Sequence, residues 1–201
     1  MGIHSTILRP VDATGGGHYR LGKTVAGITG LGANVPVASF RLINTSLRAA
    51  IHRFTWAWFL STAFGVAQTV DHGLYKATGF TGSDTGGSTG VITPKRATDI
   101  AEFVPVLGTD FDFRVGAVSA GTRTLATDFC AARGAWAGAL GAGIMFPPAD
   151  IVFDVEHEGN FIVGPNEGLI LNALTSMGAT GVYQLYIEIA FSLQLPANVQ
   201  I

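Results

Sequence analysis

The chain has 201 residues, of which 48% are apolar and only 13% are charged, against a usual charged share of roughly 25% in globular domains. Its formal net charge is −2, and its 12 Lys and Arg residues are scattered, which argues against direct packaging of nucleic acid. A monomer with so few charges has little to keep it soluble, so the composition indicates that much of the surface is buried against partner molecules.

Targeting and redox signals are weak. Residues 1–11 lack an apolar segment of the kind found in signal peptides, so no signal peptide is expected. Two longer uncharged stretches, 54–70 and 134–149, fall short of the roughly 20 apolar residues that a membrane-spanning helix needs. Cys130 is the only cysteine, which excludes an intrachain disulfide, and its alanine neighbours favour a small buried side chain.

The first 35 residues differ from the rest of the chain. They are rich in glycine and show little periodicity, so residues 1–35 are predicted to form an extended N-terminal arm. Residues 36–201 are predicted to form one β domain, because apolar and polar residues alternate there with a period of two. The alternation predicts strands over 37–43, 54–61, 74–80, 111–115, 151–155, 168–175 and 183–195.

The connections are predicted from composition. Residues 176–181 are expected to be the turn of a hairpin that joins the last two strands, and residues 79–90 an exposed polar loop. Residues 131–140 are expected to contain at most one short helical turn. Roughly eight to ten strands with long loops between them predict an all-β fold, a jelly-roll-like antiparallel β-sandwich that follows the Gly-rich arm.

One nucleotide-binding motif is matched in the arm. Residues 17–24, GHYRLGKT, fit the P-loop pattern G-x-x-x-x-G-K-[ST], in which Lys23 would neutralise phosphate charge. A P-loop needs a buried strand before it and a helix after it. Three glycines follow within 25–36, and each costs about 1 kcal/mol in a helix interior, so the match is interpreted as coincidental and no nucleotide cofactor is expected.

Other candidate sites are weaker. Asp154, Glu156 and Glu158 would share one face of a strand, which makes them weak candidates for a Ca²⁺ site, although a solvated strand face is the favoured interpretation. The same solvated-face interpretation is favoured for Asp110 and Asp112. Catalysis is not expected.

Two further groups of residues are candidates for catalysis and for contacts. The pair Asp71–His72 resembles part of a catalytic triad, but the chain has no G-x-S-x-G elbow. Trp56 and Trp58 are expected in the core. The candidate interface residues are Trp136, Phe146, Lys23 and Tyr19.

The C-terminal part of the chain resembles a known class of proteins. The run Phe161–Asn172 with its Asn-Glu-Gly turn, the Gly-Ala-Thr-Gly segment at 178–181 and the final alternating strand are similar to the end of virion proteins from tailed bacteriophages. Residues 120–125 and the turn at 146–148 are similar in character. The resemblance covers about residues 110–195 and brings no catalytic residues with it.

The resemblance implies a structural part of a phage particle, such as a capsid decoration (cement) protein or another head or tail component, located in the virion. The implied partners are copies of the chain itself, with a homotrimer favoured, and the major capsid protein or another virion protein. Neither nucleic acid nor a membrane is expected as a partner.

Three alternatives remain open from the sequence. The first is a receptor- or glycan-binding head domain of a phage fibre or spike, which would use exposed aromatic residues and the 79–90 loop. The second is an enzyme, either an NTPase through Lys23 or a hydrolase. The third is a jelly-roll coat protein that forms the shell itself.

Overall fold

The computed structural model describes residues 18–94, 105–119, 121–128, 130–137, 144–145, 148–153 and 161–194. These residues form strands and turns without a helix. The strands are β1 (His18–Ile28), β2 (Val35–Leu42), β3 (Arg48–Thr62), β4 (Gln68–Thr78), β5 (Thr85–Thr89), β6 (Val91–Pro94), β7 (Phe111–Ser119), β8 (Thr124–Leu125), β9 (Ala131–Ala137), β10 (Ile144–Met145), β11 (Ala149–Val152), β12 (Phe161–Val163), β13 (Gly168–Ala173) and β14 (Val182–Gln194).

The strands make two seven-stranded antiparallel sheets that pack against each other. Sheet A follows the order β10–β3–β14–β1–β6, and β11 and β12 also pair with β3. Sheet B follows the order β5–β7–β2–β13–β4–β8, and β9 also pairs with β4. The predicted all-β sandwich is therefore confirmed, and the short helical turn allowed within 131–140 is replaced by β9 over 131–137.

The core lies between the inner faces of the two sheets. From sheet A, the alternating residues of β14 from Tyr183 to Leu193 are at most 2% exposed, and Trp56 and Trp58 of β3 lie beside them. From sheet B, Phe40 and Leu171 contribute to the same cluster. The predicted inner faces of β3 and β14 are thus confirmed, and they bury the large aromatic side chains that contribute most to the hydrophobic stabilisation.

The last two strands do not form the predicted hairpin. β13 lies in sheet B between β2 and β4, whereas β14 lies in sheet A between β3 and β1, so residues 174–181 cross from one sheet to the other. A hairpin would have placed both strands in one sheet. Crossing instead sets the apolar face of β13 opposite that of β14, which removes both faces from water.

The predicted arm is wrong for residues 18–28. They form β1, an interior strand of sheet A that pairs with β14 on one side and with β6 on the other. Tyr19 and Leu21 are at most 1% exposed and belong to the core. The glycines of this segment hid its alternation. Residues 1–17 lie outside the described residues.

The polar loop predicted over 79–90 is largely structured. Residues 79–84 cross the outer face of sheet B, and residues 85–89 form β5, which pairs with β7. Asp84 accepts hydrogen bonds from Arg123 and from the backbone N–H of Gly121. The Asp84 side chain is 0% exposed and that of Arg123 is 5% exposed, so this ion pair is buried. Phe80 lies beneath it, with the Arg123 guanidinium 5.5 Å from its ring centroid.

The chain changes sheets at Gly90, between β5 of sheet B and β6 of sheet A. A Cβ atom at this position would lie 2.4 Å from Cδ1 of the core residue Phe113 and 3.2 Å from Leu21. Only glycine allows the backbone to pass so close to the core. One side of the sandwich is consequently closed by a continuous segment of chain.

Removing the buried ion pair tests how residues 79–84 are held. We expect Asp84→Ala to lower the free energy of unfolding by about 3–5 kcal/mol, because it leaves the Arg123 guanidinium buried without a counter-charge. The control is Asp150→Ala, which breaks the Arg53–Asp150 pair, whose side chains are 50% and 38% exposed. That variant should cost much less. Urea unfolding of both variants measures the difference, and equal losses would contradict the assigned role.

Candidate functional site

The structure separates the residues singled out from the sequence. Tyr19 is buried inside the subunit, with its ring centroid 5.6 Å from that of Phe191, which corrects the expectation that it contacts a partner. Lys23 lies in β1 opposite Ile187 and is half-buried, and Trp136 lies in β9 opposite Thr69. The interface role of these two residues stays a prediction.

The remaining candidates are placed less fully. Phe146 and the three weak metal candidates Asp154, Glu156 and Glu158 lie outside the described residues. Within the part of the chain that is described, no group of three or more His, Cys, Asp or Glu side chains is gathered so that it could hold a metal ion. The described residues also include no helix with the length and apolar character needed to cross a bilayer.

The P-loop match does not have P-loop geometry over its described part. Residues 18–24 run as an extended strand in the interior of sheet A, and β1 continues to Ile28 where a phosphate-binding loop would be followed by a helix. The backbone N–H groups of such a strand are used by pairing with β14 and β6. This segment does not form the concave ring of N–H groups that binds phosphate.

Asp71 and His72 do not form part of a triad. Asp71 accepts hydrogen bonds from the backbone N–H and side chain of Thr175. His72 is fully buried between the sheets, facing Tyr183 of β14 with ring centroids 6.1 Å apart. Among the described residues, neither the His72 ring nitrogens nor the Tyr183 hydroxyl has a hydrogen-bond partner. Burial lowers the pKa of His72 to about 4, with a smaller opposing effect from Asp71.

His72 makes stability depend on pH. Its pKa is about 6.5 in an unfolded chain and about 4 in the folded one, so only the unfolded chain takes up this proton between those values. Burial of the neutral His72 ring makes its full contribution to the free energy of unfolding above pH 6.5. Roughly 3 kcal/mol of that free energy is lost as the pH falls to 4.

The comparison of His72→Leu with the unsubstituted protein isolates this effect, because carboxylates titrate alike in both. We expect the urea midpoint of the unsubstituted protein to fall more steeply between pH 7 and pH 4 than that of the variant. Parallel losses in the two proteins would show that His72 does not titrate as its burial requires.

The exposure of two carboxyl groups and one thiol also differs from expectation. Asp110 and Asp112, expected on a solvated face, are only 4% and 6% exposed. Asp110 accepts hydrogen bonds from Asn44 Nδ2 at 2.7 Å and from the backbone N–H of Val106 at 2.8 Å, and it joins two loops. Cys130, expected to be buried, is exposed as a residue. Partial burial of its thiol still raises the thiol pKa, which disfavours the reactive thiolate.

The outer face of sheet A carries charged side chains that pair with one another. Arg20 of β1 bonds Glu188 of β14, which also accepts the hydroxyl proton of Tyr186. Arg53 of β3 bonds Asp150 of β11, and this hydrogen bond holds the pKa of Asp150 below its ordinary value. Because the four charges already pair within the chain, covering this face with a partner would require desolvating paired charges.

At one end of the sandwich, three connecting loops of the described residues contain no charged residue, and Asp71 of β4 borders them through its hydrogen bonds from Thr175. Three loops meet there, and we call them the uncharged end: residues 29–34 between β1 and β2, 63–67 between β3 and β4, and 174–181 between β13 and β14. Their exposed residues are Gly, Ala, Ser, Thr and Asn, together with Val66, which is 79% exposed.

Sequence reasoning missed the uncharged end because its three loops lie far apart in the chain. Each loop lacks Asp, Glu, Lys and Arg, which was visible in the sequence, but only the crossing connections between the sheets bring the loops together.

No protein-family model matches this chain, and no curated protein is significantly similar to it.

Proposed function

We propose that this chain is a structural virion protein that associates with copies of itself and stabilises a phage capsid by binding to its shell, as a decoration protein does. The observation that carries the proposal is the distribution of charge. Among the described residues, ten charged side chains form five ion pairs inside the subunit, and the loops of the uncharged end contain no charged residue.

Five ion pairs join charged residues within the described part of the chain. One of them, Asp84–Arg123, is buried, and the others lie on sheet faces or near strand ends. Charged residues are depleted in the centres of protein interfaces because their desolvation is costly. A chain that pairs its charges internally and leaves the end of its sandwich uncharged is suited to burying that end against other subunits.

The fold supports the same function. We infer that the sandwich is a jelly roll: its principal strands run β12–β3–β14–β1 in one sheet and β2–β13–β4–β9 in the other, and the chain passes between the sheets at most of the long connections. Viral capsid domains use this architecture, as do lectins and cupins. A fold alone does not assign a function. Among the functions that this architecture serves, we favour the virion protein because of the C-terminal resemblance to phage virion proteins.

The glycan-binding alternative has less support. It was predicted to use exposed aromatic side chains and the 79–90 loop, and Phe80, the aromatic residue of that loop, is 3% exposed. The 79–84 segment that was to form a binding loop is instead held against sheet B by the Asp84–Arg123 pair.

The solution mass of the purified full-length protein tests the proposal. We expect light scattering on a sizing column to give a closed oligomer that persists on dilution, with a trimer of three times 20.9 kDa favoured. A monomer of 20.9 kDa at every concentration, with tryptophan fluorescence that sugars quench, would contradict the proposal and favour a glycan-binding domain.

A further inference from the structure

We propose that the uncharged end is the surface through which copies of this chain contact one another, with end against end around a symmetry axis. The inference rests on the proposed self-association and names the surface responsible.

The loops of the uncharged end are fixed to one another by hydrogen bonds. The backbone N–H of Met177 donates to the carbonyl of Leu31 at 2.7 Å, and Thr29 Oγ1 donates to the carbonyl of Ala179 at 2.9 Å. The backbone N–H of Ala33 donates to Ser176 Oγ at 3.1 Å. The first and third loops therefore form one connected surface.

The middle loop is joined to the same surface. The backbone N–H of Gly65 donates to Thr180 Oγ1 at 2.9 Å, and that of Gly178 donates to Gln68 Oε1 at 2.8 Å. Phe64 is 1% exposed beneath the loops, and a Cβ at Gly181 would lie 1.9 Å from its ring. A surface ordered before contact loses little conformational entropy on association, and its small side chains have few rotamers to lose.

The lack of charged residues in the three loops favours a second copy of the chain as the partner. When copies associate symmetrically around an axis near this end, residues close to the axis meet their equivalents, so an exposed charge there would face a like charge. The uncharged end avoids this repulsion, whereas the outer face of sheet A does not, since the side chains of Arg20 and Arg53 there are 55% and 50% exposed. The three loops themselves contain no charged group that self-contact would desolvate, and the Asp71 carboxylate at their edge already accepts hydrogen bonds from Thr175.

The uncharged surface reaches beyond the three loops. The end of β1 at 24–27, the start of β5 at 85–87 and the end of β7 at 117–119 extend it without adding a charge. These segments adjoin, because a Cβ at Gly116 would lie 3.2 Å from Val25 and 3.5 Å from Gly87. With them, the uncharged surface exposes about twenty residues, which is the number that a standard interface of about 800 Å² per partner uses. Val66 is the most exposed large apolar side chain within it.

Charges introduced at this surface test the proposal on the full chain. Val66→Lys and Ala179→Lys place a lysine at exposed positions of two different loops, where the fold of a subunit can accept it. Val152→Lys is the matched control, because Val152 is 65% exposed but lies on β11 opposite Arg53, toward the other end of β3. Circular dichroism and thermal unfolding check that each variant is folded.

We expect light scattering over a dilution series to show that both loop variants dissociate at a protein concentration about a hundredfold higher than the unsubstituted chain, or are monomeric throughout. Val152→Lys should keep the oligomer unchanged. An oligomer that survives both loop substitutions would refute this surface while leaving self-assembly intact, as would dissociation by Val152→Lys alone. An unsubstituted chain that is monomeric throughout would refute the proposed self-assembly and this inference together.

Discussion

The burial of one long apolar stripe, the inner face of β14, determines most of this fold. β14 lies between β3 and β1 and is paired with both along nearly its whole length, and the inner face that it presents is almost completely buried. A strand paired on both edges satisfies its backbone hydrogen bonds within the sheet, so its position is fixed by main-chain and side-chain interactions together. Sheet B has to cover this stripe, and the residues of β2, β4 and β13 that do so are apolar on their inner faces apart from His72 of β4.

The sequence predicted the elements in which this constraint is visible locally. The alternation of β14 and of the Phe54–Leu60 part of β3 identified their buried faces, because a period of two separates one face of a strand from the other. β1 was not recognised, since its glycines diluted the pattern and its burial comes from neighbours more than sixty residues away in the chain. Local periodicity reports a strand's own faces but not which strands pair with it.

The connections and buried polar groups were harder to predict for a related reason. Residues 176–181 have the composition of a hairpin turn, yet the choice between pairing two strands and facing them across a core depends on the whole sheet order. Asp84 and Arg123 are 39 residues apart, and nothing near either residue indicates that it is buried in an ion pair. The uncharged end was predictable as three uncharged loops, but its unity as a surface arises only from the fold.

The passage of the chain through Gly90 makes the two sides of the sandwich mechanically unequal. On that side, β5 is paired to sheet B and β6 to sheet A, so any sliding of one sheet over the other must break main-chain hydrogen bonds within a single short segment. On the opposite side, the described strands β8 to β12 are two to seven residues long and each pairs only with β3 or β4. Shear between the sheets is therefore resisted along one margin, and local opening of the subunit is confined to the other.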